Sequence, residues 1–246
     1  MKSIYKSAEG ERAVRERYLK FLAYWPVPNQ QLRVPTCEGE TFVVVSGPET
    51  APALVLLHGA SGNTAMWMGL HLEHASFLGV SNGGWLALNY ATRHPQRVES
   101  LVVLCPGGIV RAKNILLKVF PFLLLGKWGA RKVREMILGR TPANLSKAHQ
   151  AFADFIALIF RHLRPRTARH PILSDDQLRR LTMPVMVILG GKDVIFDSAA
   201  IQQRLERALP HALIRYLPEA GHFIPGQTAP IVDFLHSKTA AVRSGA

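Results

Sequence analysis

The sequence predicts an α/β fold built around a mostly parallel sheet. Short apolar runs, each long enough for one buried strand, recur along the chain. Glycine-rich or polar loops follow several of these runs, and helix-like segments separate several of them, as expected for strands that alternate with helices. The runs lie at 53–57, 74–78, 96–104, 184–189 and 212–217.

An amphipathic helix is predicted over residues 8–24, before the first strands. Its apolar side chains recur at i, i+4, i+7 and i+8, the spacing of one helix face. A pair of strands follows at about 31–46, and its second member covers 41–46. The apolar face of the helix consists of Val14, Tyr18, Phe21 and Leu22.

The segment 79–84, Gly-Val-Ser-Asn-Gly-Gly, lies between an apolar run and a helix-like stretch. This order predicts a strand, a sharp turn and a helix, with Ser81 at the apex. Such a turn strains the serine backbone and brings Gly79 close to Gly83, so side chains are excluded at both glycines. Ser81 is therefore a candidate nucleophile. The alternative is an ordinary serine in a glycine-rich turn, which the motifs described next disfavour.

A serine nucleophile needs donors for the oxyanion as well as a base and a group that orients the base. The strand at 53–57 ends in His58-Gly59-Ala60, where a glycine allows backbone amides to face a developing negative charge. We expect the amides of Ala60 and Asn82 to form the oxyanion hole. His58 is interpreted as a residue that shapes the loop and transfers no proton.

Two carboxylates compete for the role of orienting group. Asp193 follows the strand at 184–189, at the edge of a parallel sheet where sites form. Asp197 directly precedes Ser198 and a helical stretch, which is typical of a helix cap. Asp193 is therefore favoured.

His222 is the candidate base among the ten histidines of the chain. It lies in a loop after the last predicted strand and beside Gly221, whereas most other histidines neighbour arginine or proline, or lie on polar helix faces. The chain order Ser81, Asp193, His222 is the order of nucleophile, acid and base expected for an α/β architecture with this turn.

Taken together, these motifs resemble the α/β-hydrolase superfamily, in its branch of small bacterial carboxylesterase-like serine hydrolases. The resemblance implies an α/β-hydrolase fold: a mostly parallel central sheet, helices on both faces and a helical cap inserted at 107–180. It implies Ser81 as nucleophile, His222 as general base and then acid, and Asp193 as orienting carboxylate. A serine at the turn distinguishes the chain from the haloalkane dehalogenases and epoxide hydrolases, which resemble it but carry aspartate there. The matching segments are 58–59, 79–84, 93–98, 190–193 and 221–222.

The chain departs from this family between Gly59 and Gly79. Members of the superfamily have a helix, a strand and a second helix there, and two crossovers need about 60 residues. Here the short segment 63–73 takes their place, so we expect about one strand and two helices to be missing, with the junction near Met68.

We expect this shortening to change the sheet. The strand at 41–46 is predicted to pair with the strand at 53–57 as an antiparallel hairpin closed by 47–52, which makes a single sheet of six or seven strands possible. The loss of two covering helices would expose apolar sheet surface, at roughly 25 cal/mol for each Å². Marginal stability and weak self-association are therefore expected.

Length and composition bound the remaining possibilities. The 246 residues, 48% of them hydrophobic, predict one domain over 1–246. Cys37 and Cys105 suggest no disulfide framework, and we expect no secretion signal, no membrane span and a cytoplasmic protein. The net charge of +13 comes without a nucleic-acid motif, so it is interpreted as a solvated basic surface with no nucleic-acid partner.

The most apolar part of the predicted cap is Ile115–Leu125. Packing of cap against core is the favoured interpretation, and the alternative is an acyl-pocket wall with interfacial contact. No cofactor or metal is expected: Glu73 would point away from the face that His71 and His74 share, and no dinucleotide or phosphate loop is visible.

The sequence thus predicts a cofactor-free serine hydrolase that cleaves a carboxylic ester of a small, mostly apolar substrate through an acyl-enzyme. The same three residues would also serve amide, lactone or carbon–carbon hydrolysis, or peroxidation. A truncated, non-catalytic homologue that binds a ligand is the second alternative.

Overall fold

The computed structural model contains a central sheet of five parallel strands. It describes residues 4–25, 27–37, 39–47, 54–59, 76–139, 147–163 and 170–244. The central strands are β3 (Val55–Leu57), β4 (Ser76–Val80), β5 (Ser100–Leu104), β6 (Val185–Gly190) and β7 (Leu213–Leu217), and they are adjacent in that order. The predicted mostly parallel sheet is confirmed, and each central strand overlaps one of the five predicted runs, although β4 and β6 end one or two residues beyond theirs.

The middle strands are buried on both faces, which explains their continuous apolar sequences. In β5, Leu101 and Val103 pack into one hydrophobic cluster, whereas Val102 and Leu104 pack into another. This alternation follows from the two-residue period of a strand.

Helices cover both faces of the sheet, as predicted. The first cluster includes side chains of α2 (Asn82–Arg93), α6 (Asp175–Arg179) and α7 (Ser198–Ala208), and the second includes those of α8 (Thr228–Ser244). The sheet is thus the middle layer of a three-layer core.

Three longer helices lie between β5 and β6, within the segment predicted to form a cap. They are α3 (Ile115–Leu123), α4 (Gly126–Leu138) and α5 (Lys147–His162). The predicted N-terminal helix is confirmed as α1 (Ala8–Ala23), and its Val14 packs against Phe155 and Ile159 of α5. The amphipathic face of α1 therefore packs against α5.

The first two strands form a separate hairpin. β1 (Asn29–Thr36) pairs antiparallel with β2 (Gly39–Ser46) along its whole length. The prediction that β2 would pair with β3 is wrong for the strands that the structure describes, and so is the predicted count of six or seven strands in one sheet. The reason is length: β2 can pair with β1 over eight residues, whereas β3 has only three residues available for pairing.

The β3 end of the sheet is less covered than its centre. Val55 is 39% exposed, whereas every residue of β5 and β6 is buried. The short segment that the sequence suggests as a replacement for a strand and two helices, including Met68, lies outside the described residues. None of the helices in the described ranges is long and apolar enough to cross a membrane.

Candidate active site

Ser81 occupies the turn between β4 and α2. Its backbone has φ of 54° and ψ of −112°, a strained conformation for a residue with a side chain. The Ser81 amide donates to the carbonyl of Leu104, and its carbonyl accepts from the amide of Trp85. Strand β5 and the first turn of α2 therefore hold the serine in this conformation.

Glycines are required on both sides of the turn. A Cβ on Gly79 would overlap the backbone of Gly83, and a Cβ on Gly83 would overlap the carbonyl of Leu57. Backbone atoms cannot move aside as flexible side chains can, so the predicted close approach of the two glycines is confirmed.

Three side chains meet at the carboxyl edge of the sheet in one chain of hydrogen bonds. His222 Nε2 lies 2.9 Å from Ser81 Oγ, and His222 Nδ1 lies 2.8 Å from Asp193 Oδ2. Because the carboxylate accepts the Nδ1 proton, Nε2 is free to accept the hydroxyl proton of Ser81. The structure thus brings together the three residues predicted to act together, in a geometry suited to proton transfer from the serine.

Asp193 is buried, and its charge is stabilised by several donors. Burial raises the pKa of this carboxyl, but the hydrogen bond and charge of His222 and the amides of Ile195 and Phe196 outweigh burial and lower it overall. These amides donate to Oδ1 at 2.7 and 3.1 Å. Oδ2 is thereby left for the imidazole, and the carboxylate stays ionised beside it.

Asp197 has the capping role that its sequence context predicts. It is the N-cap of α7, and its carboxylate accepts a hydrogen bond of 3.1 Å from the amide of Ala200. The structure therefore separates the two competing carboxylates, since only Asp193 contacts His222.

The loop after β3 lies beside the serine. A Cβ on Gly59 would lie 3.6 Å from the Ser81 Cβ, and the His58 ring donates from Nδ1 to the Gly59 carbonyl at 2.8 Å. This contact agrees with a loop-shaping histidine. Asn82 begins α2, where first-turn amides have no partner within the helix. Ala60, the other predicted oxyanion donor, lies outside the described residues.

Cys105 belongs to the same cluster, although the sequence analysis assigned it no role. Its sulfur and the ligand atoms of Asp193 and His222 all lie within 4.8 Å of one another. Burial first, and the charge of Asp193 second, raise the pKa of the thiol, which therefore stays protonated. Such a set could in principle ligate a metal, but its carboxylate and imidazole are already hydrogen-bonded to each other. The position of Cys105 just after β5, at the same sheet edge as Asp193, is the signal that could have identified it.

Aromatic rings surround the backbone next to Ser81. The Gly107 amide donates to the Ser81 carbonyl, and Gly107 packs closely under the rings of His170 and Phe196. His170 stacks on Trp85 with centroids 4.8 Å apart, and burial lowers its pKa. Aromatic rings therefore pack against the backbone that binds the Ser81 carbonyl.

Comparison with known proteins identifies the family to which this geometry belongs. The model of the family Hydrolase_4, described as "Serine aminopeptidase, S33", matches residues 71–228. This match covers more than half of the chain and includes Ser81, Asp193 and His222.

Two curated relatives come from Bacillus subtilis (strain 168). One, named "Uncharacterized carboxylesterase nap", is 26% identical, and the match covers 85% of this chain and 86% of the relative. "Carboxylesterase YbfK" is 24% identical over 85% of this chain and 87% of its own length. The first alignment spans 263 positions, more than the full 246 residues here, so the relative has internal residues without a counterpart in this chain.

Solved structures share the fold. Carboxylesterase CesB (YbfK) from Bacillus subtilis superposes with a TM-score of 0.72 at 23% identity, covering 93% of this chain and 99% of the other. The naproxen esterase (carboxylesterase NP) from Bacillus subtilis gives the same TM-score at 20% identity, covering 98% and 100%. The architecture built from β3–β7 and its helices is therefore that of α/β-hydrolases.

Proposed function

Since the chain belongs to the α/β-hydrolase superfamily, in the family described as "Serine aminopeptidase, S33", we propose that it is a serine esterase. In this proposal it cleaves a carboxylic ester of a small, mostly apolar substrate through an acyl-enzyme. The observation that carries the proposal is the continuous hydrogen-bonded chain from Ser81 through His222 to Asp193. Both curated relatives described above have names that contain the word carboxylesterase, which supports the choice of substrate class.

The first half of the reaction forms the acyl-enzyme. Ser81 Oγ attacks the ester carbonyl carbon while His222 Nε2 takes the hydroxyl proton. The imidazolium that results is stabilised by ionised Asp193 at 2.8 Å. His222 then gives the proton to the alkoxide oxygen, and the alcohol leaves as the carbonyl re-forms.

The second half repeats these steps with water. His222 takes a proton from water as the hydroxyl oxygen attacks the acyl carbon, and it returns the proton to Ser81 Oγ as the acid leaves. In both halves we assign the negative carbonyl oxygen to the amides of Asn82 and Ala60. The free amides at the start of α2 support the first of these assignments.

The expected substrate follows from the surroundings of Ser81. Phe196 lies beside His222 with ring centroids 5.7 Å apart, Trp85 and His170 stack beside the Gly107–Gly108 backbone, and burial lowers the pKa of His170. Such surroundings favour an apolar acyl or alcohol group over a charged one.

A panel of p-nitrophenyl esters with increasing acyl length tests the proposal. We expect turnover that depends on acyl length, with kcat lowered roughly 10³-fold or more by Ser81→Ala. A fluorophosphonate probe should label the wild type and leave Ser81→Ala unlabelled. Unchanged labelling of the variant, or no ester turnover by a folded wild type, would contradict the proposal. Turnover of an amide or lactone panel in place of esters would favour the alternative chemistries.

A further inference from the structure

Helices α3 and α4 form a tight helical hairpin within the cap. Gly126 begins α4 with φ of +54°, and Gly129 packs directly against the carbonyl of Phe122 in α3. A side chain at Gly129 would push the two helices apart. The Phe122 ring also contacts Trp128, with centroids 6.0 Å apart. The turn of this hairpin is therefore held in one conformation by local contacts.

Large apolar side chains at this turn are exposed. Leu124 and Leu125, which join the helices, are 76% and 52% exposed, and the neighbouring Phe120 and Trp128 are 62% and 47% exposed. We call these four residues the hairpin tip. Packing of cap against core, the interpretation favoured from the sequence for Ile115–Leu125, is wrong for the exposed Phe120, Leu124 and Leu125, whereas Val119 is buried. Exposed apolar groups in one cluster mark an interaction surface more often than isolated ones do.

The segment that carries the hairpin tip is basic in sequence, although Lys113 at its start donates to the Asp193 carbonyl. Residues 111–138 contain seven lysines and arginines and a single acidic residue, Glu135. Glu135 contacts Lys132 at 3.1 Å and Arg131 at 3.8 Å, so its charge is shared between two cations. The Lys132 ammonium also lies 5.8 Å from the centroid of the Trp128 ring. This one segment accounts for a large part of the net charge of +13.

We propose that the hairpin tip docks on the surface of an anionic phospholipid bilayer. Exposed leucines and aromatic rings would enter the boundary between headgroups and acyl chains, while the flanking cations contact lipid phosphates. Neither feature suffices alone, since stable peripheral attachment combines a modest apolar insertion with a basic patch. This inference goes beyond the proposed esterase activity and does not depend on it.

The charge pattern also argues against a second copy of the chain as the occupant. A symmetric contact between two hairpin tips would bring two sets of basic residues together, and like charges repel. An anionic surface removes this repulsion and adds attraction. The charge complementarity therefore selects the bilayer over self-association at this face.

Vesicle co-sedimentation of the full chain tests the proposal. Vesicles of phosphatidylcholine alone are compared with phosphatidylcholine and phosphatidylglycerol in roughly a seven-to-three ratio. We expect binding to the anionic vesicles at low salt, little binding to the neutral ones, and release as NaCl rises to about 0.5 M. The variant Leu124→Ser with Leu125→Ser should bind the anionic vesicles about tenfold less tightly.

Matched control variants test whether vesicle binding depends on the hairpin tip or on exposed apolar groups and positive charges anywhere on the surface. Leu19 and Leu213 are 57% and 53% exposed on other elements, so Leu19→Ser with Leu213→Ser should bind as the wild type does. Arg131→Gln with Arg134→Gln should weaken binding, whereas Arg17→Gln with Arg207→Gln removes the same charge elsewhere and should change binding little.

Three results would overturn the proposal. The first is that the folded wild type does not bind anionic vesicles at low salt. The second is that the variant with serine at Leu124 and Leu125 binds as the wild type does. The third is that the two pairs of arginine substitutions weaken vesicle binding equally. Light scattering that showed a dimer dissolved by the leucine substitutions would assign the hairpin tip to self-association. Ser81→Ala should bind vesicles as the wild type does, so failure of the esterase proposal would be seen separately.

Discussion

Asp193 is the residue on which the geometry of the candidate site most depends. Its Oδ1 is held by two backbone amides of the following turn, so its Oδ2 has a single direction in which to meet His222. A carboxylate held in this way fixes the tautomer of the imidazole as well as its orientation. Asp197, four residues further on, caps a helix and has no such contact.

This difference predicts unequal effects of two similar substitutions. Asp193→Asn should lower kcat for a p-nitrophenyl ester by on the order of 10³ to 10⁴, because an amide stabilises the wrong tautomer and no imidazolium. Asp197→Asn should leave kcat almost unchanged, since asparagine caps helices as well as aspartate does. Steady-state kinetics of both variants measure these effects on kcat. A larger loss of kcat for Asp197→Asn than for Asp193→Asn would refute the assignment of Asp193 as the orienting carboxylate.

The lowered pKa of Asp193 also predicts a dependence of stability on pH. A carboxyl whose pKa is lower in the folded protein than its ordinary 3.8 stabilises the fold above that pH. This contribution is lost as pH falls through the folded-state pKa. The difference in free energy of unfolding between the wild type and Asp193→Asn should therefore shrink as the pH falls below about 4. Urea unfolding of both proteins at several pH values measures this difference in free energy. A difference that stayed constant with pH would exclude a contribution from Asp193 ionisation.

Among the elements, the turn between β4 and α2 is closely constrained by neighbouring backbone. Strand and helix approach so closely that Gly79 meets the backbone of Gly83, and Gly83 meets the backbone of β3. The strain at Ser81 is therefore maintained by three elements together, and a change at either glycine acts on the serine through the backbone.

We expect Gly79→Ala to lower both stability and activity. The added Cβ overlaps backbone atoms, so the strand and helix must separate, at a cost of about 1–3 kcal/mol. This corresponds to a fall in Tm of roughly 2–12 °C for a chain of this size. Gly221→Ala is the matched control for stability, because a Cβ there meets nothing within 4 Å and the backbone φ is not positive. Equal melting temperatures for the two variants would contradict the close approach.

At the scale of the whole molecule, the central sheet is well covered in the middle and less covered at its two edge strands, β3 and β7. β5 and β6 are buried throughout, whereas Val55 is exposed and the β1–β2 hairpin stays apart from the central sheet. Several apolar side chains of this hairpin are exposed as well. They are Leu32, Val34, Phe42 and Val45.

This arrangement predicts a protein of low thermal stability that a longer connection would stabilise. Insertion of a family-like segment of about 50–60 residues after Met68 should raise Tm, reduce binding of a dye for exposed apolar surface and increase ester turnover. Melting curves and p-nitrophenyl ester kinetics of both forms provide the comparison. A high, cooperative melt and full activity in the 246-residue form would show that the short connection suffices.

Much of the candidate site was predictable because it depends on local sequence. Glycines around Ser81, a carboxylate after a buried strand and a histidine in the last loop are patterns that each segment carries by itself. The direction of the central strands also follows from the sequence, since short apolar runs separated by helices predict a parallel sheet. The assignment of Asp197 to a helix cap required only its neighbours.

The tertiary structure alone decided how distant parts meet. The sequence predicts an apolar face on α1 but not its partner α5, and it places Cys105 near a strand but not beside Asp193 and His222. The pairing of β2 with β1, and the exposure of Leu124 and Leu125, likewise depend on which surfaces remain available after the sheet has formed. Hydrophobic burial is non-directional, so a sequence pattern shows that a face is apolar, whereas only the assembled fold determines what covers it.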